Sequence, residues 1–243
     1  MSNQLFTDNF SQPLNGVTAA RFDIYADDGN LTIDSLPDDK QVLASGRLEY
    51  FERQGLPTRT LDTGNGQAAF TLRGGVADWP RFRLPWSTCN GATEWQIHLN
   101  PTVLCDITAQ SNGGNISLNL AGMALASLSA DTGGGNVAVV LPQDAADLNV
   151  TARSGGGNVT VEIGDGIQGS NIVNAKTGAG DVVVSIPAGV AARIHATTGL
   201  GKAIVDPRFS KIDAHLYQSP DFDSAANKVD ITLSSGAGNV NVN

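Results

Sequence analysis

The chain has 243 residues, 41% of them hydrophobic but only 6% aromatic and 16% charged, with 28 glycines. That length suits one all-β domain, and the composition calls for an aliphatic core and short strands joined by tight turns rather than salt-bridged helices. A net charge of −9 without any Lys/Arg cluster disfavours nucleic acid and anionic membrane surfaces as partners, and no stretch reaches the ~20 apolar residues that cross a bilayer.

Residues 1–16 (MSNQLFTDNFSQPLNG) read as an N-terminal extension, and 17–243 as one β-solenoid domain. The opening segment has neither the basic nor the apolar region of a secretory signal, which predicts a cytoplasmic protein without direct membrane insertion. Within the domain, 17–104 is expected to be an irregular capping half and 105–243 a set of regular repeats. Residues 17–50 hold a degenerate first rung: Phe22 and Ile24, the turn Asp27-Asp28-Gly29-Asn30, then Leu31 and Ile33. Further strand-like runs follow at Val42–Phe51, Ala68–Leu72 and Glu94–Leu99, with Trp79, Trp86 and Trp95 and a proline-flanked loop around Pro80 and Pro85.

From residue 109 the repeat is explicit: AQSNGGNISLNL (from Ala109), ADTGGGNVAVVL (Ala130), ARSGGGNVTVEI (Ala152), AKTGAGDVVVSI (Ala175), ATTGLGKAIVD (Ala196) and LSSGAGNVNVN (Leu233). The residue closing each turn is Asn115, Asn136, Asn158, Asp181, Lys202 or Asn239, at successive steps of 21, 22, 23, 21 and 37 residues. A step of about 22 residues is the signature of a solenoid, and the long last step predicts an insertion at about 206–227. Alternation after the turn aligns Ile116, Val137, Val159, Val182, Ala203 and Val240, then Leu118, Val139, Val161, Val184, Val205 and Val242. Before it, Ile107, Leu128, Val150, Val173, Ile194 and Ile231 align, followed by a column dominated by alanine. One face of each strand is therefore buried. The glycines are expected to supply positive φ in the reversals, and the final rung at Val240 and Val242 to leave an open edge for a second copy or a partner.

No catalytic, cofactor or metal site emerges. Thr198-Gly199-Leu200-Gly201-Lys202 is the nearest approach to a phosphate loop, but Ala203 replaces the Ser/Thr and a strand follows instead of a helix. Gly178-Ala179-Gly180 lacks the third glycine of a dinucleotide fingerprint. The turns carry mostly Asn and recur too seldom for a calcium roll. His98, His195 and His215 read as surface residues without metal spacing. Cys89 and Cys105 read as free thiols, Cys105 buried in a column with Ala126, Leu148, Ala192 and the discordant Asn171. Asp27, Asp28, Asp34, Asp38, Asp39, Asp221 and Asp223 fall in turns and loops, not as paired carboxylates on a wall.

The run TGAGDVVVSIPAGVAARIHATTGLGKAIVD, then Tyr217, Asp221-Phe222-Asp223, Asn227 and ITLSSGAGNVNV, resembles the LiaF-type C-terminal domain of cell-wall-active antibiotic response proteins, within the broader toast-rack and adhesin-like group. ADDGNLTI, VLASGRLEY, TEWQIHLNP and SLNLAGMALASLSADTGGGN extend the likeness across about residues 17–243. The resemblance implies a right-handed, single-layer β-solenoid-like fold and a role in envelope-stress sensing or assembly with membrane proteins. It brings no catalytic residues. Such proteins often carry transmembrane helices before this domain, and this sequence shows none. The expected function is a non-enzymatic scaffold holding a protein partner, such as a membrane-anchored stress-response protein, or self-associating through edge strands. A glycan-binding module using Trp79 or Trp86 is the alternative, and a carbohydrate-active enzyme a distant third.

Overall fold

The computed structural model describes residues 4–37, 41–75 and 93–243. Strands follow in chain order as β1 (Leu5–Pro13), β2 (Ala19–Ala26), β3 (Asn30–Ser35), β4 (Val42–Phe51), β5 (Thr58–Gly64), β6 (Gln67–Arg73) and β7 (Glu94–Leu99). The repeats supply β8 (Leu104–Ser111), β9 (Ile116–Asn119), β10 (Leu125–Thr132), β11 (Val137–Val140), β12 (Asn149–Ser154) and β13 (Val159–Glu162). Then come β14 (Ser170–Ala179), β15 (Val182–Ser185), β16 (Ala191–Leu200), β17 (Ala203–Val205), β18 (Ser210–Lys211), β19 (Leu216–Gln218), β20 (Lys228–Ala237) and β21 (Val240–Val242). The sole helical turn among the described residues is a short 3-10 turn at Glu52–Gln54.

Each repeat contributes one strand to each of two walls, and the coil is an all-β solenoid with the aliphatic columns between them. One wall has ten strands in the order β1-β4-β7-β3-β9-β11-β13-β15-β21-β17. The other has eleven, in the order β18-β19-β16-β20-β14-β12-β10-β8-β2-β6-β5. The aligned apolar positions stack in parallel register as expected: Leu31, Ile116, Val137, Val159 and Val182 are partners in succession, as are Ile107, Leu128, Val150 and Val173. One column is displaced. A bulge between Leu125 and Ser127 pairs Leu125, rather than Ala126, with Cys105.

The spatial order of rungs departs from the chain order at both ends. The last repeat, β20–β21, inserts between β14–β15 and β16–β17, so Val240 and Val242 are enclosed and the expected C-terminal edge does not exist. At the other end the first repeat, β2–β3, lies between β6–β7 and β8–β9. Antiparallel strands flank the parallel stack: β4 and β1 beyond β7, β5 beyond β6, and β19 and β18 beyond β16. Residues 1–16 thus contain a paired strand, and the 206–227 segment contains β18, β19 and Phe209, which is 4% exposed and seals the core at that end.

The turn edge explains both the glycines and the insertion. In the regular turns an added Cβ would fall on the backbone of the rung beneath: 2.0 Å from the Gly29 carbonyl oxygen at Gly114, 2.1 Å from that of Gly114 at Gly135, and 2.1 Å from that of Gly135 at Gly157. These glycines do not have positive φ; among the turn glycines of the repeats only Gly180, Gly201 and Gly238 do. Close stacking of backbones, not the left-handed conformation, is the general requirement. The middle position of the turn is open, its nearest neighbour 3.9 Å away at Gly134.

Two polar ladders lock this edge. Thr132 Oγ1 donates to the Gly114 carbonyl at 2.7 Å and accepts the Gly135 N–H at 3.3 Å. Ser154, Thr177, Ser235 and Thr198 donate likewise to Gly135, Gly157, Gly180 and Gly238. Outside it, the Oδ1 atoms of Asn30, Asn115, Asn136, Asn158, Asp181 and Asn239 accept the backbone N–H of the next rung, ending at Lys202. Lysine has no acceptor, so Lys202 fits only the last step of this ladder. In chain order it would leave Asn239 N–H without its carboxamide or carboxylate partner. The interchange also encloses Val240 and Val242 while the smaller Ala203 takes the end.

Two contrasts test this account by urea denaturation. Gly135→Ala is expected to lower stability by about 1–3 kcal/mol or more, the usual range for overpacking, whereas Gly134→Ala stays within about 0.5 kcal/mol. Thr132→Val, which keeps the shape and removes the hydroxyl, is expected to cost about 1–3 kcal/mol because buried backbone groups lose their partner.

Candidate interaction surfaces

Among the described residues, the polar and thiol side chains inside the coil are individually satisfied. Cys105 is fully buried and its S–H donates to the Val103 carbonyl at 3.1 Å. Burial, aided by the neighbouring Asp106 charge, pushes the thiol from 9.0 up to about 12. Cys89 lies outside the described residues. Asn171, the discordant member of that column, is satisfied: its Oδ1 accepts from Leu148 N–H at 3.0 Å, and its Nδ2 donates to the carbonyls of Gln168 and Lys228 at 2.9 and 3.3 Å. Trp95 is core, with its indole N–H donated to the Glu49 carbonyl at 3.0 Å. Trp79, Trp86, Asp38 and Asp39 lie outside the described residues.

The turns are already committed to stacking. At the would-be phosphate loop, Thr198 donates to Gly238 and Lys202 N–H to Asn239. The Asn oxygens that a calcium ion would need accept backbone N–H groups instead. Among the described residues no three His, Cys, Asp or Glu side chains gather to hold a metal. The structure does bring together two histidines that sequence reasoning kept apart. The His195 and His215 rings lie 6.2 Å apart because β19 folds back on β16. Beside them Asp213 is held below the usual carboxylate range, first by the backbone N–H groups of His215 and Leu216 and then by the two imidazoles. Their common origin in an antiparallel return leaves no spacing signal in the sequence. His98 sits against Asp34 across β3 and β7. Asp223 accepts a hydrogen bond from Gln218 at 3.1 Å.

What remains is surface. The outer face of the eleven-stranded wall carries Asp23, Thr108, Ser129, Thr151, Asn174, Thr232 and His195 as one in-register column. Beside it run Arg21, Asp106, Ser127, Asn149 and Ile172, and a shallow trough of about 430 Å³ lies over both. A second cavity of about 420 Å³ opens at the end of the stack between β1 and β5, where Phe10 stacks on Phe70 at 5.8 Å and the Arg59 guanidinium lies 5.1 Å from the Phe10 ring centre. Among the described residues no helix is long and apolar enough to cross a membrane.

A family model described as the N-terminal domain of toast_rack, DUF2154, matches residues 1–162. The chain belongs to the toast_rack family. Its fold is close to that of a candidate cell adhesion protein from Clostridium sporogenes, with a TM-score of 0.70 over 98% of this chain and 99% of that one at 17% identity. A candidate adhesin from Bacteroides fragilis aligns at a TM-score of 0.45 and 12% identity, over 100% of this chain and 98% of that one. No curated protein matches the sequence. Toast_rack membership, with the two-walled solenoid, supports a structural module.

Cys105 offers a direct check on how well the stack excludes solvent. With Cys89 replaced by serine, the native protein is expected to resist thiol reagents at pH 8 and to react once unfolded. The unfolded thiol ionises near 9.0 and the folded one only about 12. The stability linked to this group is therefore present below pH 9 and lost as pH rises toward 12, so Cys105→Ala should show a shallower alkaline decline in thermal midpoint.

Proposed function

We propose that this toast_rack chain is a non-enzymatic scaffold that holds a protein partner, within an envelope-stress response and from the cytoplasmic side. The observation that carries the reading is where the polar chemistry goes. Turn hydroxyls, carboxamides and backbone groups are spent on holding rungs together, leaving two broad, regular walls as the accessible chemistry. A wall of mostly short polar side chains at fixed strand spacing suits recognition of another folded surface. The LiaF-like runs at the C-terminal end support the envelope-stress assignment, with a membrane-anchored protein of that response as the partner.

The trough over Asp106, Ser127, Asn149 and Thr151 favours a second reading, a polar glycan laid along the wall. Hydroxyl and amide side chains in register supply the hydrogen bonds such a ligand needs, although Tyr25, an aromatic on the same wall, is covered by Arg73 at 4.1 Å.

Crosslinking of the tagged protein in its native host, followed by mass spectrometry, separates these readings. Enrichment of a membrane-anchored stress-response protein, reduced by a Thr108→Lys/Thr151→Lys wall variant that keeps the native thermal midpoint, is the expected result. Recovery of no protein together with binding on a glycan array would replace the scaffold by the glycan reading.

A further inference from the structure

We infer that the chain forms a two-fold dimer by pairing β1 with β1 of a second copy, joining the ten-stranded walls into one continuous sheet. The two ends of the stack are treated differently. At the C-terminal end the last strands are too short to template pairing: β17 spans Ala203–Val205 and is followed by Pro207, and β18 is only Ser210–Lys211. At the opposite end β1 runs for nine residues and, among the described residues, pairs only with β4. Proteins usually blunt such an edge with lysine, proline or a bulge. Here β1 has no lysine, and its proline and register shift lie at the far end, at Gln12/Pro13.

The register identifies the free groups. Glu52 N–H donates to the Gln4 carbonyl, so the alternation of an antiparallel ladder aims the backbone of Phe6, Asp8 and Phe10 at β4. The N–H and C=O of Thr7, Asn9 and Ser11 then face away, with no strand beyond them among the described residues. Across the end of the stack the neighbouring edge strand, β5, meets β1 through side chains: Asp8 approaches Arg59 at 3.2 Å, and Phe10 lies beneath the same guanidinium.

The sequence of β1, LFTDNFSQP, is complementary to itself about Asn9. An antiparallel copy centred there sets Thr7 opposite Ser11 of the second copy and Asp8 opposite its Phe10. No like charges face each other. Each Asp8, already 3.2 Å from Arg59 of its own chain, also faces the Phe10–Arg59 pair of the other copy, so the two ion pairs lie side by side across the joint. Asp8 Oδ2 is buried beside Arg59 of its own chain at 3.2 Å and accepts no well-aligned hydrogen bond there. The end cavities of the two copies, lined by Phe10, Phe70, Leu61 and Arg59, come to lie side by side under the joined strands. This dimer goes beyond the recruitment proposal and does not depend on it.

Sedimentation equilibrium of the full chain across a concentration series tests the inference, with dimer as the sole associated species expected. Asn9→Pro removes an outward N–H and no bond to β4, so it should weaken the dimer about tenfold or more at an unchanged thermal midpoint. If that variant loses stability, Asn9→Cys in a Cys89→Ser background decides. At the two-fold position the Cα atoms would be about 5.5 Å apart, within disulfide reach, and a crosslinked dimer should form under mild oxidation. A monomer at every concentration, or a dimer that neither crosslinks through residue 9 nor responds to Asn9→Pro, overturns the inference. So does a requirement for a strand from a different protein.

Discussion

Where one rung's turn lies on the next, a carbonyl oxygen sits where the next glycine would carry a side chain. Successive turns are so close that Gly114, Gly135 and Gly157 each have an ideal Cβ position about one bond length too near the backbone beneath. This approach brings Ser and Thr hydroxyls within reach of both their own turn and the preceding one, and Asn oxygens within reach of the following backbone N–H. The aliphatic columns supply most of the apolar burial, but they are compatible with small slips along the strands. The turn edge is not, since one step of slip would break every hydroxyl and carboxamide bond at once and drive Cβ atoms into carbonyl groups.

The ladder has a direction, and the direction has consequences at the ends. Every rung but the last must offer an acceptor, and Lys202 cannot. The chain accommodates this by sending the 206–227 segment around the end of the stack and inserting the final repeat one place inward. The same excursion brings β19 against β16, places Phe209 over the open end of the core and collects His195, His215 and Asp213 on one corner. A mirrored interchange of β2–β3 and β6–β7 occurs at the opposite end. Both outermost rungs therefore come from within the chain, and the repeats nearest the termini are held by parallel neighbours on each side.

Committing the polar groups to stacking also shapes what the protein can do. A solenoid that uses its repeat turns for internal bonding takes those turns out of ligand chemistry, whereas α/β folds keep the loops at their strand ends free for it. Its assets are extent, regularity and edges. The walls present columns whose members are separated by one strand spacing of about 4.8 Å, a scale suited to a second sheet or a repetitive surface. The antiparallel strands at each end determine whether that regularity continues into another molecule, and they differ sharply in length between the two ends.

By itself the sequence determined the repeat, the β class, the inward columns and the position of the glycine turns of the repeats, because period-two alternation and the recurring glycines are local features that survive without a partner in view. It also contained the signal for the exchanged rungs, in the lysine that interrupts a column of Asn and Asp, though that signal has meaning only once the carboxamide ladder is known. Positive φ accounts for Gly180, Gly201 and Gly238 but not for Gly114, Gly135 and Gly157, because a clash between residues some twenty positions apart leaves no trace in local conformation. Likewise β1 and β5 carry weak patterns of their own and are strands because the stack needs its ends paired. The meeting of His195 with His215, the bulge that substitutes Leu125 for Ala126 and the identity of the true edges were decided by tertiary structure alone. Each depends on which distant backbone lies alongside, and neighbour identity in a parallel sheet is set by the whole stack of bonds rather than by any one strand.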